Sequence, residues 1–214
     1  LAACGNVSTT NTSAAGSTVG ETFKIGYNLE LSGAVSSYGQ TEEKGANLAV
    51  KEINAAGGID GKKIEVITKD NKSETAEAAT VATSLASEGA NVVIGPATSG
   101  ASAASIPALT SAGVPMISPS GTQTNLVEND KGEVQEYFFR TTFTDGYQGE
   151  IMAKYATENF SAKKVVLYFD NSSDYGKGVA EAFKKAYTGE IVSEITFASG
   201  DKDFQAALTK LKDK

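Results

Sequence analysis

The 214-residue chain has no histidine and no tryptophan, one cysteine, two methionines and four prolines. Without histidine there is no Ser-His-Asp or Cys-His nucleophile pair, no His-ligated zinc or non-haem iron, and no imidazole base. Cys4 alone can close neither an internal disulfide nor a multi-thiolate metal site, so no metal or cofactor is expected. No apolar run reaches the ~18 to 20 residues of a membrane span. Lys and Arg number 19 against 26 Asp and Glu, a net charge of -7, which would repel a nucleic-acid backbone. The acids are spread without runs of like charge, as on a solvated surface. Neither G-x-x-x-x-G-K-[ST] nor G-x-G-x-x-G occurs, and Gly176-Lys177-Gly178 is too short to cradle a phosphate. Most enzyme chemistry is closed off.

What remains is ordinary globular material, 40% hydrophobic and 21% charged. Residues 6 to 22 are Asn, Ser, Thr, Ala and Gly with almost no large apolar side chain, and read as a flexible tether spanning on the order of 20 Å. From Phe23 short strands alternate with amphipathic helices. Strands are predicted over 24–29, 63–68, 91–95, 114–117, 136–141, 164–169 and 191–197. Between them, Ala46, Ala49, Val50 and Ile53 share one helix face, and Ala78, Val81, Ala82 and Leu85 another. A small-residue helix begins near Ser99, with Pro107 marking a kink or a fresh first turn. Tyr147, Ile151, Met152 and Tyr155 line the next helix, Val179, Ala182, Phe183 and Ala186 the one after, and Phe204, Ala207, Leu208 and Leu211 the last. Strand 164–169 reads as continuously buried. Such alternation means βαβ crossovers and parallel sheets. The chain stops at Lys212-Asp213-Lys214, where a further strand would be expected, which suggests a fragment.

In parallel α/β folds ligands bind where strands end and helices begin, because helix N-termini offer unpaired N–H groups to an anion. Four strand-exit segments are rich in small and hydroxyl residues: 32–39, 95–100, 118–122 and 170–176. Capping and turn-making explain any one of them. Several on one sheet edge favour a site.

Certain segments also carry a family likeness. They are Lys24-Ile25-Gly26, Leu31-Ser32-Gly33 and Tyr38-Gly39; Gly45-Ala46; Glu52-Ile53-Asn54-Ala55-Ala56-Gly57-Gly58-Ile59-Asp60-Gly61; Val93-Ile94-Gly95; Val114-Pro115-Met116-Ile117-Ser118-Pro119-Ser120; Phe139-Arg140-Thr141; Tyr175-Gly176-Lys177-Gly178; and Lys202-Asp203-Phe204. From about Phe23 onward the sequence resembles the branched-chain amino-acid (leucine/isoleucine/valine) binding proteins of ABC transporters. These have the type I periplasmic-binding-protein fold. Leu1-Ala2-Ala3-Cys4 looks like a bacterial lipobox, with Cys4 as the lipid-anchor residue.

The resemblance implies an α/β fold of two Rossmann-like lobes with parallel sheets, the second lobe incomplete here. Residues 1–22 would be the lipobox remnant and tether, 23–140 the N-terminal ligand-binding lobe, and 141–214 a partial second lobe. It implies that Ser99 and Thr122 hold a ligand carboxylate, that a carbonyl near Ser120 or Gly121 takes an ammonium hydrogen, and that Tyr38 and Tyr175 wall the pocket from either lobe. Ala97 and Thr98 would shape that pocket, and the later part of longer relatives supplies a carboxylate for the ammonium. The expected protein is an extracytoplasmic, membrane-anchored monomer of a bacterium of Gram-positive cell plan that captures Leu, Ile or Val by lobe closure and delivers it to ABC permease subunits. Two rivals stand beside it. One is a binding protein or sensor of the same fold for amides, urea or other small acids. The other is an α/β enzyme using Asp70, Asp145, Asp170 or Asp174, residues whose simpler reading is capping and solvated loops.

Overall fold

The computed structural model of the chain describes residues 19–129 and 131–211. Cys4, most of the tether and Lys212-Asp213-Lys214 lie outside the described residues. Strands β1 (Phe23–Leu29), β2 (Ile64–Asp70), β3 (Val92–Ile94), β4 (Met116–Ser118) and β5 (Phe138–Arg140) form one sheet, in the order β2-β1-β3-β4-β5. Every pairing in it is parallel. Helices α1 (Ser36–Ala55), α2 (Thr75–Ser87) and α3 (Ser99–Ala112) are the crossovers. A second sheet pairs β6 (Lys164–Asp170) with β7 (Glu190–Phe197), again parallel, with α4 (Asp145–Phe160) and α5 (Asp174–Ala186) beside it and the short α6 (Gln205–Thr209) after it.

The interior strand β1, between β2 and β3, is buried on both faces from Ile25 onward, as a strand flanked by parallel neighbours must be. Its Gly26 matters for packing: a Cβ there would lie 3.0 Å from both Leu85 methyls. The α2 face Ala78, Val81, Ala82 and Leu85 is buried as its spacing requires, and the last three join Val93, Leu109, Val114 and Met116 in the main core. Buried Asn28 is paired: its Nδ2 donates to the Ala78 carbonyl at 2.9 Å and to Ser105 Oγ at 3.1 Å, tying β1 to α2 and α3.

Several expectations are corrected. Pro107 does not start a fresh helix; it lies inside α3, which runs on to Ala112 and is capped by Gly113 in the left-handed conformation at φ 66°. On α1, Ala46 and Val50 pack onto the sheet, whereas Ala49 and Ile53 are exposed. The apolar face of α4 points outward: Tyr147, Ile151, Met152 and Tyr155 are exposed, and Asp145, Gly149 and Ala153 are buried instead. The reason is close packing on α5, since a Cβ on Gly149 would fall 2.5 Å from the Ala182 Cβ. Strand β6 is half-exposed rather than buried, because among the described residues β7 is its one partner. Helix α6 buries no residue, and Phe204 and Leu208 are exposed.

Candidate functional site

All five strands of the first sheet run the same way, so their exits share one edge, and the order β2-β1-β3 makes the chain reverse its winding direction beside β1. A crevice opens at such a point. The structure has a cleft of about 490 Å³ there, walled on one side by the first sheet's exits and on the other by Gln148, Ser172, Ser173, Asp174 and Tyr175.

From the first sheet come the N-termini of three helices: Val35 and Tyr38 of α1, Thr75 of α2, and Ser99, Gly100 and Ala101 of α3. None of these three has a side-chain cap, so their positive dipole ends lie at the cleft without a capping oxygen, although in α1 the Ser36 and Tyr38 N–H groups go to the Gly33 and Val35 carbonyls. Helices α4 and α5, by contrast, are capped by Thr144 and Ser173. The cleft thus offers an anion its donors mainly from one wall.

Ser99 and Thr122 sit together on that wall. Ser99 Oγ accepts the N–H of Gln123 at 3.1 Å, which seats the α3 terminus against the loop after β4, and both residues are nearly buried at the cleft floor. Ser120 lines the cleft beside them. Gly121 does not: its N–H donates to Ser118 Oγ at 2.9 Å and its carbonyl accepts from Arg140 Nη1 at 3.4 Å. A Cβ there would sit 2.6 Å from Ser118 Oγ, so the loop has no room for a side chain at this glycine. Tyr38 and Tyr175 stand exposed on opposite rims, with Tyr175 Oη 3.2 Å from Gln148 Oε1.

The floor is braced by charge that sequence reasoning missed. Glu30, fully buried just after β1, accepts from Ala97 N–H at 2.9 Å and from Thr98 N–H and Oγ1 at 3.0 and 2.8 Å. It fixes the segment leading into α3. Glu42, one turn beyond Tyr38, meets the Ser120 hydroxyl. Burial, opposed by the Ser120 hydrogen bond and reinforced by Glu30, pushes the Glu42 carboxyl up to about 7. Arg140 donates to the Gln123 and Thr124 carbonyls at 2.6 and 3.1 Å, and the Asp145 N–H donates to the Thr122 carbonyl at 2.8 Å, bolting the loop after β4 to the start of α4. Burial pushes the Asp145 carboxyl up, with Thr122 and Arg140 pulling it the other way.

The remaining acids are local. Asp70 accepts from the Leu31 and Ser32 N–H groups, the Ser32 hydroxyl and the Lys72 N–H. Burial raises it, but the Ser32 hydroxyl and these backbone donors outweigh that and hold it below the ordinary carboxylate range. Asp170 accepts from the Ser172 N–H and hydroxyl, and Asp174 pairs with Lys177 at 2.8 Å. Among the described residues no group of three or more acids and thiols could hold a metal ion, and no helix is long and apolar enough to cross a membrane.

The four loops singled out in the sequence all reach the cleft. Thr75, Thr142, Phe143 and Gln148 were missed, although the exits of β2 and β5 must lie on the same edge as the others once the sheet is parallel. Glu30 had a signal too: an acid directly closing an apolar strand.

A periodic pattern and a shared cleft do not by themselves name a family; comparison with known proteins does. The family model described as periplasmic binding protein matches residues 22–214. The chain belongs to that family. It is 37% identical over 191 residues to the Leu/Ile/Val-binding protein homolog 3 of Brucella melitensis, covering 88% of this chain and 50% of that protein. Among solved structures, the branched-chain amino acid transporter substrate binding protein LivJ from Streptococcus pneumoniae, in complex with isoleucine, superimposes with a TM-score of 0.83 at 59% identity, over 90% of this chain and 54% of that one. A solute binding protein of an ABC transporter from Rhodopseudomonas palustris, in complex with 3,4-dihydroxy benzoic acid, gives 0.78 at 29% identity, over 91% and 52%. The chain spans about half the length of the curated relatives it matches.

Proposed function

We propose that this chain carries the carboxylate-gripping half of an extracytoplasmic amino-acid binding protein, which captures leucine, isoleucine or valine and hands it to an ABC permease without chemical change. The observation that carries the reading is the convergence of three uncapped helix N-termini with the Ser99 and Thr122 hydroxyls on one cleft wall. Such a wall suits a carboxylate. The Ser120 carbonyl suits the ammonium, and the aliphatic and aromatic rim of Val35, Tyr38, Phe143 and Tyr175 suits a branched apolar side chain. Support from outside the chain is the isoleucine complex of the Streptococcus pneumoniae relative.

Capture would work by population shift. Ligand held on the first wall gains contacts from Gln148, Asp174 and Tyr175 only when the two walls approach, so it favours the closed form by that difference in affinity. Residues 23–140 and 141–214 are proposed as the two moving bodies, the second incomplete. Cys4 is proposed as the lipid-anchored residue of a monomer.

Calorimetry on the full-length protein tests the site. Thr122→Ala should weaken isoleucine binding by ~2 kcal/mol, since a charged group loses a hydroxyl partner. Unchanged affinity contradicts the assignment. A second reading, a small aromatic acid as ligand, rests on the dihydroxybenzoate-bound neighbour. It predicts that benzoates, and not isoleucine, raise the melting temperature.

A further inference from the structure

Ser120 stands between two oxygens: its Oγ lies within hydrogen-bond distance of Glu42 Oε1 and 2.9 Å from the Ala97 carbonyl. A hydroxyl has one hydrogen, and a carbonyl can only accept, so the two contacts cannot both be Ser120 donations. When Glu42 is ionised, Ser120 donates to it and the Ala97 carbonyl is left without that hydrogen. When Glu42 is protonated, it donates to Ser120 Oγ, and Ser120 passes its own hydrogen to the Ala97 carbonyl. Ala97 and Ser120 both line the cleft.

We infer that Glu42 is a positioning residue of the cleft floor, whose proton decides whether the Ala97 carbonyl and a negative charge beneath it are available to a ligand ammonium. The inference rests on the amino-acid reading above and adds the group that tunes it. Glu42 Oε2 is buried without a hydrogen-bond partner, which disfavours the ionised form in the empty protein. The charged group acting on Glu42 from a neighbouring element is Glu30, after β1. The loops after β3 and β4 present Ala97 and Ser120, both uncharged, and Tyr38 and Glu43 share its own helix. Across the cleft, Asp174 is paired with Lys177. Two neighbouring carboxylates, one titrating near neutrality, give an ammonium a reason to select the ionised state. Binding near neutral pH should therefore release a proton.

Isoleucine titrations of the full-length protein in two buffers of different ionisation enthalpy read that proton directly. The expected result is a fractional proton released near pH 7 and affinity several-fold weaker at about pH 6 than at about pH 8. Glu42→Gln, whose amide donates to Ser120 at every pH, should bind as weakly as the acid form and lose both the slope and the proton release. An unchanged slope in Glu42→Gln overturns the inference. A second arm needs no ligand: carboxyl 13C NMR should show Glu42 titrating near neutrality, higher in Ser120→Ala and lower in Glu30→Gln. A midpoint in the ordinary carboxylate range, indifferent to both substitutions, overturns the coupling. Should the coupling hold while isoleucine fails to bind, the amino-acid reading falls and the ligand half of the inference falls with it.

Discussion

Strands β1 and β6 are both seven residues of mostly apolar sequence, yet they end up in different environments. Strand β1 lies between β2 and β3 under α1 and α2, and Tyr27 and Leu29 are completely buried. Strand β6 has one partner among the described residues, and Tyr168 on it is 38% exposed. The helices repeat the contrast: α2 hides its apolar face, whereas α4 leaves Ile151, Met152, Tyr155 and Phe160 open. A hydrophobic pattern states which face wants covering. It does not state whether a covering element is present.

That contrast can be broken by measurement. Leu85→Ala removes a side chain from the completed core and should cost about 3 kcal/mol in denaturant unfolding. A cost near zero would mean that the first sheet is no better packed than the second. Glu30→Gln keeps the shape but, whichever way the amide turns, sets its N–H₂ against at least one backbone N–H, of Ala97 or Thr98, with an expected loss of about 2 kcal/mol by the same assay. The pH dependence sharpens the comparison further. Because the folded pKa of Glu42 is raised from 4.5 to about 7, its contribution to stability is full below pH 4.5 and is lost as pH rises toward 7. Melting temperature should therefore decline across that interval by the equivalent of ~1 kcal/mol, and Glu42→Gln should flatten the decline. Tyr155→Ser on the open face of α4 should change stability by less than ~0.5 kcal/mol. A loss comparable with Leu85→Ala would show that this face is covered in solution.

Much of the fold was legible because β1, α2 and α5 have the periodicities their environments demand, and alternating elements leave parallel sheets as the natural arrangement. The site was legible as loops, since strand-exit segments rich in serine, threonine and glycine advertise themselves. What stood in the way elsewhere was tertiary. Gly149 looks like a helix weakness until α5 is seen against it, and nothing local shows that Arg140, 19 residues away, reaches the Gly121 carbonyl. Glu30 and Glu42 gave no local pattern as a pair, because the Ala97 and Ser120 segments they brace are 67 and 78 residues away in the chain.

The central claim is that the α3 N-terminus and the loop after β4 grip the carboxylate of an amino acid. A crystal structure of the full-length protein with isoleucine tests it most directly. The account predicts the ligand carboxylate within about 3 Å of the Ser99 and Thr122 hydroxyls, with its ammonium toward Ser120 and Ala97. An isoleucine bound elsewhere, or one whose carboxylate faces Tyr175 and Asp174 instead, would contradict it.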